Sequence, residues 1–136
     1  MRAIQRLLLL AGVAIVAFAV ALFSFDQDAQ QGCVVVSEPD PAYDVELQDI
    51  PSTREIAYRL AVTRNGEPVT GAEVCLSADM TGMSAMGVTD DAVEIDTGIY
   101  EVAVRFAMAG PWDGTVLVSE GGAEPIAVPL SFDVSR

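Results

Sequence analysis

The chain has 136 residues, and its 20 aspartate and glutamate residues face only seven arginines, with no lysine and no histidine. The formal net charge of −13 argues against nucleic-acid binding, because a field of this sign repels phosphate. Without histidine the chain lacks the base of Ser-His and Cys-His catalysis, so we expect a protein that is not an enzyme.

Residues 1–25 have the pattern of a transmembrane anchor. Arg2 and Arg6 precede an apolar run from Leu7 to Phe25 that contains no charge and no proline. At about 1.5 Å per helical residue, this run is long enough to cross the hydrocarbon core of a bilayer. Positive charge before the run predicts that the N-terminus stays in the cytoplasm and that the rest is exported. A cleaved signal peptide remains the alternative.

Residues 26–32 are polar and predict a short tether, after which period-two patterning begins in a domain of residues 33–136. The run "CVVVS" at 33–37 predicts a first short strand. Apolar residues then alternate in two further segments: Tyr43, Val45 and Leu47, and then Ile56, Tyr58, Leu60 and Val62. Asn65 and Gly66 follow, and this pair is typical of a tight hairpin turn.

The second half of the domain continues the alternation. "GAEVCLSA" predicts a strand, a loop carries the methionines, and "VEID" leads into a turn at Thr97 and Gly98. The later inward series are Tyr100, Val102, Val104 and Phe106, and then Ile126, Val128, Leu130, Phe132 and Val134. Pro129 lacks a donor for the strand ladder, which predicts an edge strand or a bulge. The pattern indicates an all-β, antiparallel, immunoglobulin-like β-sandwich of about seven strands, with a small closed barrel as the alternative.

Cys33 and Cys75 are the only cysteines. An exported domain favours a disulfide between them, because oxidising compartments allow the bond to persist. Two unpaired thiols, one of them in the core, remain the alternative.

Three methionines stand at a regular spacing in "MTGMSAMG", at Met80, Met83 and Met86. Thioether sulfur is a soft, neutral ligand that suits Cu(I), and three such groups can converge if the segment curls into a helical turn or a hairpin tip. The alternative is a flexible filler that caps the core or faces a partner. The acids of "DDAVEID" lack the ligand pattern of an EF-hand, and two cysteines without histidine do not complete a zinc site.

Several motifs together resemble the YtkA-like family, which is related in pattern to FixH-like proteins and to copper-resistance domains of the CopC kind. They are Gly66 to Val69, Gly71 to Val74, the methionine segment, Gly98 to Tyr100, and Met108 to Trp112. The resemblance implies an immunoglobulin-like domain outside the cytoplasmic membrane, with copper handling or assistance to a respiratory oxidase. It also implies Met80, Met83 and Met86 as the metal ligands, with Met108 nearby.

The absence of histidine limits such a site to Cu(I) held by sulfur. From the core alternation, Tyr100, Met108 and Trp112 are interpreted as structural. We therefore expect a membrane-anchored extracytoplasmic accessory domain that binds a protein partner and takes Cu(I) through its methionines. The alternative is an acidic structural subunit that docks on a larger membrane complex and has no metal of its own.

Overall fold

The computed structural model describes Cys33 and residues 38–136. The predicted anchor, the tether and most of the first predicted strand lie outside these residues. The described part of the chain contains eight strands. They are β1 (Tyr43–Leu47), β2 (Ala57–Arg64), β3 (Glu67–Pro68), β4 (Glu73–Met80), β5 (Met83–Asp96), β6 (Ile99–Ala103), β7 (Gly110–Ser119) and β8 (Ile126–Val134). No helix in this part is long and apolar enough to span a bilayer.

The strands form one antiparallel ladder in the order β1-β2-β6-β5-β4-β7-β8, with β3 paired to β2. The two edges of this ladder approach each other. Pro39 bridges Ala127 and Ser52 bridges Ser135, and the Ser135 amide donates to the Pro51 carbonyl at 2.8 Å. The all-β antiparallel class is confirmed. The sheet is nearly closed into a barrel. This arrangement lies between the predicted β-sandwich and its alternative, the small closed barrel.

Alternation produces the core, because successive side chains of a strand point to opposite faces. In β2, Tyr58, Leu60 and Val62 are buried while Arg59 is exposed. The predicted inward series that begins at Tyr100 in β6 and continues beyond the strand to Phe106 is buried as well. One residue departs from the prediction. Ile56 precedes β2 instead of lying in it, and its side chain is 48% exposed.

Pro129 is exposed on β8, whose continuous pairing is with β7 alone among the described strands. The prediction of an edge strand is therefore confirmed. A proline is tolerated here because its missing N–H would point away from the ladder.

Antiparallel pairing sends strand ends to two opposite ends of the sheet. β1, β4, β6 and β8 finish at one end, where β2, β5 and β7 begin. The other end holds the connections from β2 to β4, from β5 to β6 and from β7 to β8. We call this second end the turn end and define it by residues 64–72, 94–98 and 119–125.

Candidate functional site

The methionine segment forms the tip of a hairpin between two long strands. Met80 is the last residue of β4, Thr81 and Gly82 make the turn, and Met83 is the first residue of β5. Met80 and Met83 are direct partners across the ladder. The predicted loop is therefore shorter than expected, because β5 already starts at Met83 and continues to Asp96.

Met86 lies in an irregular part of β5. Asp79 pairs with Gly87 and the next residue, Met80, pairs with Met83, so residues 84–86 are additional on the β5 side. An irregularity of this kind bends the strand and changes the direction of its side chains. The first and second methionines thus face each other across the hairpin, and the third follows in the bulge.

The three side chains differ in burial. Met80 is half-buried and packs against the core, and its Cε would lie 3.1 Å from a Cβ added at Gly110. Met86 is also half-buried, whereas Met83 is 49% exposed. Part of the cluster therefore contributes to packing, and part of it is available to a ligand.

Met108 belongs to the same end of the sheet, on the segment 104–109 that connects β6 to β7. The indole N–H of Trp112 donates to the Met108 carbonyl at 3.1 Å, and Trp112 is the ladder partner of Met80. The Met108 side chain is 42% exposed. The hydrogen bond therefore holds the segment that contains Met108 next to the end of β4, where Met80 lies.

An aromatic cluster lies beneath these segments. Phe106 contacts Tyr58, Trp112 and Phe132, with ring centroids 5.4, 4.9 and 5.5 Å apart. Tyr58, Phe106 and Trp112 are at most 2% exposed. The predicted structural role of Trp112 is confirmed, since its ring is buried and its N–H has a partner.

The cluster also fixes the connection from β1 to β2. The Tyr58 hydroxyl lies 2.8 Å from the carbonyl oxygens of Ser52 and Glu55, and it accepts the Ser52 amide at 3.3 Å. Three segments are thus attached to one group of rings: residues 48–56, 80–86 and 104–109. We call them together the methionine end.

Asp49 anchors the first of these segments to β2. Its carboxylate accepts the Arg59 backbone amide at 2.8 Å and the guanidinium Nη2 at 2.6 Å. The hydrogen bonds from the Arg59 side chain and backbone lower the pKa of Asp49 below its ordinary value. The carboxylate is accordingly ionised at neutral pH and already occupied by a partner.

Cys33 and Cys75 form a disulfide in the structure, with Cα atoms 5.8 Å apart. The bond lies on the outer face of the sheet, where both residues pack with Leu117 and Ala127. The ligand atoms of the two cysteines and Asp91 lie within 4.8 Å of one another. While the disulfide is intact, neither sulfur is a thiolate, so this group offers only one strong metal ligand.

The acids of "DDAVEID" lie on β5 and not in a loop. Glu94 accepts the backbone amides of Gly71 at 2.7 Å and Gly98 at 3.2 Å, so it satisfies two amides at the turn end. This carboxylate has a structural task, and its ligand oxygens are already engaged.

Sequence reasoning missed two exposed apolar residues at the same end of the sheet as the methionines. Ile50 is 82% exposed, and Ile56, which the alternation predicts to lie in the core, is 48% exposed. No local signal identifies them, since they reach the same end of the sheet as the methionines only because β1 and β4 finish there and β2 begins there.

A family model described as YtkA-like matches residues 35–117, which is more than half of the chain. Among curated proteins, none matches the chain. A solved structure, that of a conjugative transposon lipoprotein from Bacteroides eggerthii, is similar at 13% identity. The match covers 68% of this chain and 98% of that one, with a TM-score of 0.31.

Proposed function

Since the chain belongs to the YtkA-like family, we propose that it is a membrane-anchored, extracytoplasmic accessory domain that binds Cu(I) at its methionine end. The proposed role is binding in copper handling or in assembly of a respiratory oxidase, and it is not catalysis. The arginines before the apolar run support export. The disulfide supports it independently, because such bonds persist in oxidising compartments.

The observation that carries the copper proposal is the pairing of Met80 with Met83 across the hairpin, next to Trp112 and the Met108 segment. Met80, Met83 and Met86 would supply thioether sulfur, and Met108 a further one. These donors are soft and uncharged, which suits Cu(I) and disfavours harder divalent ions. The chain has no histidine, so the nitrogen ligands typical of Cu(II) are not available.

The test is a Cu(I) titration of the full chain in a nonionic detergent, under anaerobic conditions and against a competing chelator. The comparison is a variant with Met80, Met83 and Met86 all changed to leucine, which keeps volume and apolar character. We expect the wild type to take up one Cu(I) and the variant to lose this uptake. Met108→Leu alone should weaken it if the fourth sulfur takes part.

One control concerns the cysteines. Reduction of the disulfide would place two thiolates beside Asp91, within the 4.8 Å found for this group, and thiolates also bind Cu(I). The titration therefore keeps copper as Cu(I) with ascorbate, which does not cleave protein disulfides, and the Cys33–Cys75 bond is verified by mass spectrometry. Equal uptake by the wild type and the triple-leucine variant, with the disulfide intact, would contradict the copper proposal.

A further inference from the structure

The disulfide lies beside a carboxylate on the outer face of the sheet. Cys75 on β4 is the direct ladder partner of Asp91 on β5. Side chains of directly paired residues stand on the same face, with Cβ atoms about 4.5–5.5 Å apart. Cys33 joins this pair from 42 positions earlier in the chain. Strand register and the disulfide thus bring two sulfur atoms and an Asp91 carboxylate oxygen within 4.8 Å of one another.

The surroundings of the Cys33 sulfur favour a cation. Its Sγ lies 3.7 Å from the Leu76 carbonyl oxygen and 3.8 Å from the Asp90 carbonyl oxygen. These oxygens and the Asp91 carboxylate place negative charge around the sulfur. A bare thiolate is disfavoured there, because nearby negative charge opposes a further negative charge. A divalent cation held between the sulfurs and the carboxylate would remove this repulsion.

The site has an apolar floor and an open side. Cys75 is 5% exposed and packs with Leu117 and Ala127. Asp91 is exposed and Cys33 is half-buried. Attraction between charges is stronger on the buried side, where water is excluded. The exposed side gives an ion the path of entry that a metal site requires.

The size of the group suits one tetrahedral ion. Zn(II) binds thiolate sulfur at about 2.3 Å and carboxylate oxygen at about 2.0–2.2 Å. Tetrahedral angles then place the ligand atoms roughly 3.5–3.8 Å from one another, which is inside the 4.8 Å that encloses these three atoms. The Cα atoms of Cys33 and Cys75 are 5.8 Å apart. Rotation of the two side chains therefore brings both sulfurs onto one ion once their bond is broken.

We propose that reduction of the Cys33–Cys75 disulfide creates a Zn(II) site formed by both thiolates and the Asp91 carboxylate, with water as the fourth ligand. The sequence offers two sulfur ligands and no histidine, and the fold supplies the third ligand from the neighbouring strand. Thiolates select thiophilic ions, and the carboxylate favours Zn(II) over Cu(I) among these. The redox state of the cysteines thus controls whether the site exists.

The reducing step needs a dithiol, and the burial of the two cysteines decides its course. A thiolate of the dithiol attacks the half-buried Cys33 Sγ, the disulfide breaks, and Cys75 leaves with the electron pair. The second thiol of the dithiol then attacks the mixed disulfide, releases Cys33 and completes the oxidised dithiol. The protein gains two electrons and two protons. Binding of Zn(II) displaces both protons from the sulfurs.

This inference goes beyond the proposed function and does not rest on copper binding. Cys75 precedes Met80 by five positions on β4, which separates the two sites by roughly 16 Å along the strand. The copper proposal uses thioethers, which the reduction of a disulfide leaves unchanged. The zinc site needs thiolates, so the two proposals can fail separately.

The test is a Zn(II) titration of the full chain in nonionic detergent against a chromophoric chelator. It is made before and after reduction with a phosphine, which is then removed anaerobically. We expect the reduced chain to bind one Zn(II) and the oxidised chain none. Co(II) is the second probe, because thiolate ligands give a sulfur-to-metal charge-transfer band. Zn(II) should also raise the urea midpoint of the reduced chain, since it binds the folded state.

Asp91→Asn is the decisive variant, because it keeps the size of the side chain and both cysteines. Its affinity for Zn(II) in the reduced state should fall by more than about tenfold, the loss that removal of even an outer-shell partner causes. Asp90→Asn is the matched control. It removes the same charge at the neighbouring position, on the opposite face of β5, and should leave the affinity within about twofold. The triple-leucine variant of the methionines should keep its Zn(II).

Equal Zn(II) affinity of the reduced wild type and reduced Asp91→Asn would overturn the proposal, as would equal uptake by the oxidised and reduced chains. Loss of Zn(II) uptake in the triple-leucine variant would also overturn it, because the ion would then lie at the methionines. Failure of the copper proposal appears instead in the Cu(I) titration of the oxidised chain, in which the cysteines provide no thiolate.

Discussion

The two ends of the sheet are stabilised by different interactions. At the turn end, polar groups find partners over short distances: the Tyr100 hydroxyl donates to the Val69 carbonyl at 2.9 Å and accepts the Ala72 amide at 3.1 Å. At the methionine end, the segments rest on buried aromatic rings and leave apolar side chains in solvent. At the turn end, polar groups form hydrogen bonds with one another. At the methionine end, the segments are ordered, but some of their apolar side chains stay exposed to solvent.

A second contrast between the ends concerns titratable groups. At the turn end, the hydrogen bond from Tyr43 to the Glu120 carboxylate, at 2.6 Å, raises the pKa of Tyr43. At the methionine end, the contact of Asp49 with Arg59 lowers the pKa of Asp49. The first interaction is favoured when the Tyr43 hydroxyl is protonated, and the second is favoured when the Asp49 carboxyl group is ionised. Stability should therefore depend on pH through different groups at each end.

The largest effect is expected from removal of the aromatic cluster at the methionine end. Trp112→Ala should lower the free energy of unfolding by about 3–5 kcal/mol, because it leaves a cavity beneath all three segments. Urea unfolding measures the loss. Trp112→Phe, which keeps a ring beside Phe106 but loses the hydrogen bond to the Met108 carbonyl, should cost clearly less.

Hydrogen exchange locates the effect of Trp112→Phe. We expect amides of residues 104–109 to exchange faster, while those of the turn end keep their protection. Uniform loss of protection at both ends would contradict the view that the ends are stabilised separately.

The disulfide is the next largest contribution, and it lies near the start of β4, away from the methionine end. Cys33→Ala with Cys75→Ala should cost about 2–4 kcal/mol, because the bond closes a separation of 42 residues in the unfolded chain. Urea unfolding with and without a reductant measures it. Reduction should destabilise the wild type by a similar amount and leave the double variant unchanged, and an effect of reductant on the variant would argue against this account.

A substitution at Gly98 should destabilise the turn end through two identifiable causes. Its φ is +68°, and a Cβ there would lie 2.7 Å from the Pro68 Cβ. Gly98→Ala should therefore cost about 1–3 kcal/mol, since a left-handed backbone and a steric contact both oppose the side chain. Gly66→Ala is the matched control, because Gly66 also has a positive φ but no atom within 4 Å of the added Cβ.

The difference between the two glycine variants isolates the contact with Pro68. Urea unfolding should rank Gly98→Ala as the less stable variant. Equal losses would mean that backbone conformation alone decides the effect and that β3 does not pack closely on this turn.

The burial pattern of the strands could be predicted from the alternation of apolar and polar residues. The strand boundaries and the closure of the sheet were less predictable, because they depend on long-range contacts. The inward series of β2, β6 and β8 follows from period-two patterning, which needs only neighbouring residues. The exposure of Ile56 did not follow, because the strand begins one residue later and tertiary contacts determine such boundaries. The continuous, nearly closed ladder is also a long-range property that no local pattern contains.

The candidate site was predictable in its residues but not in its surroundings. The spacing of the methionines was visible in the chain, as was the opportunity for Cys33 and Cys75 to pair. The placement of the Met108 segment depends on Trp112, which binds the Met108 carbonyl and pairs with Met80 from more than thirty positions away along the chain. Arg54 and Arg105 likewise come to the same end of the sheet only because β1 and β6 both finish there.

The smallest of the predicted effects tests how residues 48–56 are held. A carboxyl group whose pKa is lower in the folded state stabilises the fold at pH values above its unfolded pKa, about 3.9 for aspartate. This stabilisation disappears as pH falls through the lower folded value. Asp49→Asn should therefore be less stable than the wild type at neutral pH, and the difference should shrink in acid, below pH about 4.

Urea unfolding at a series of pH values measures this difference. Asp44→Asn is the control for the loss of one negative charge, since Asp44 is exposed on β1 and forms no ion pair among the described residues. Because Asp49 fixes the segment that carries Ile50, the protection factors of amides 48–56, which correct for slower intrinsic exchange in acid, should fall as the pH is lowered in the wild type. A wild type and an Asp49→Asn variant with parallel pH profiles would show that the contact with Arg59 contributes nothing to the order of this segment.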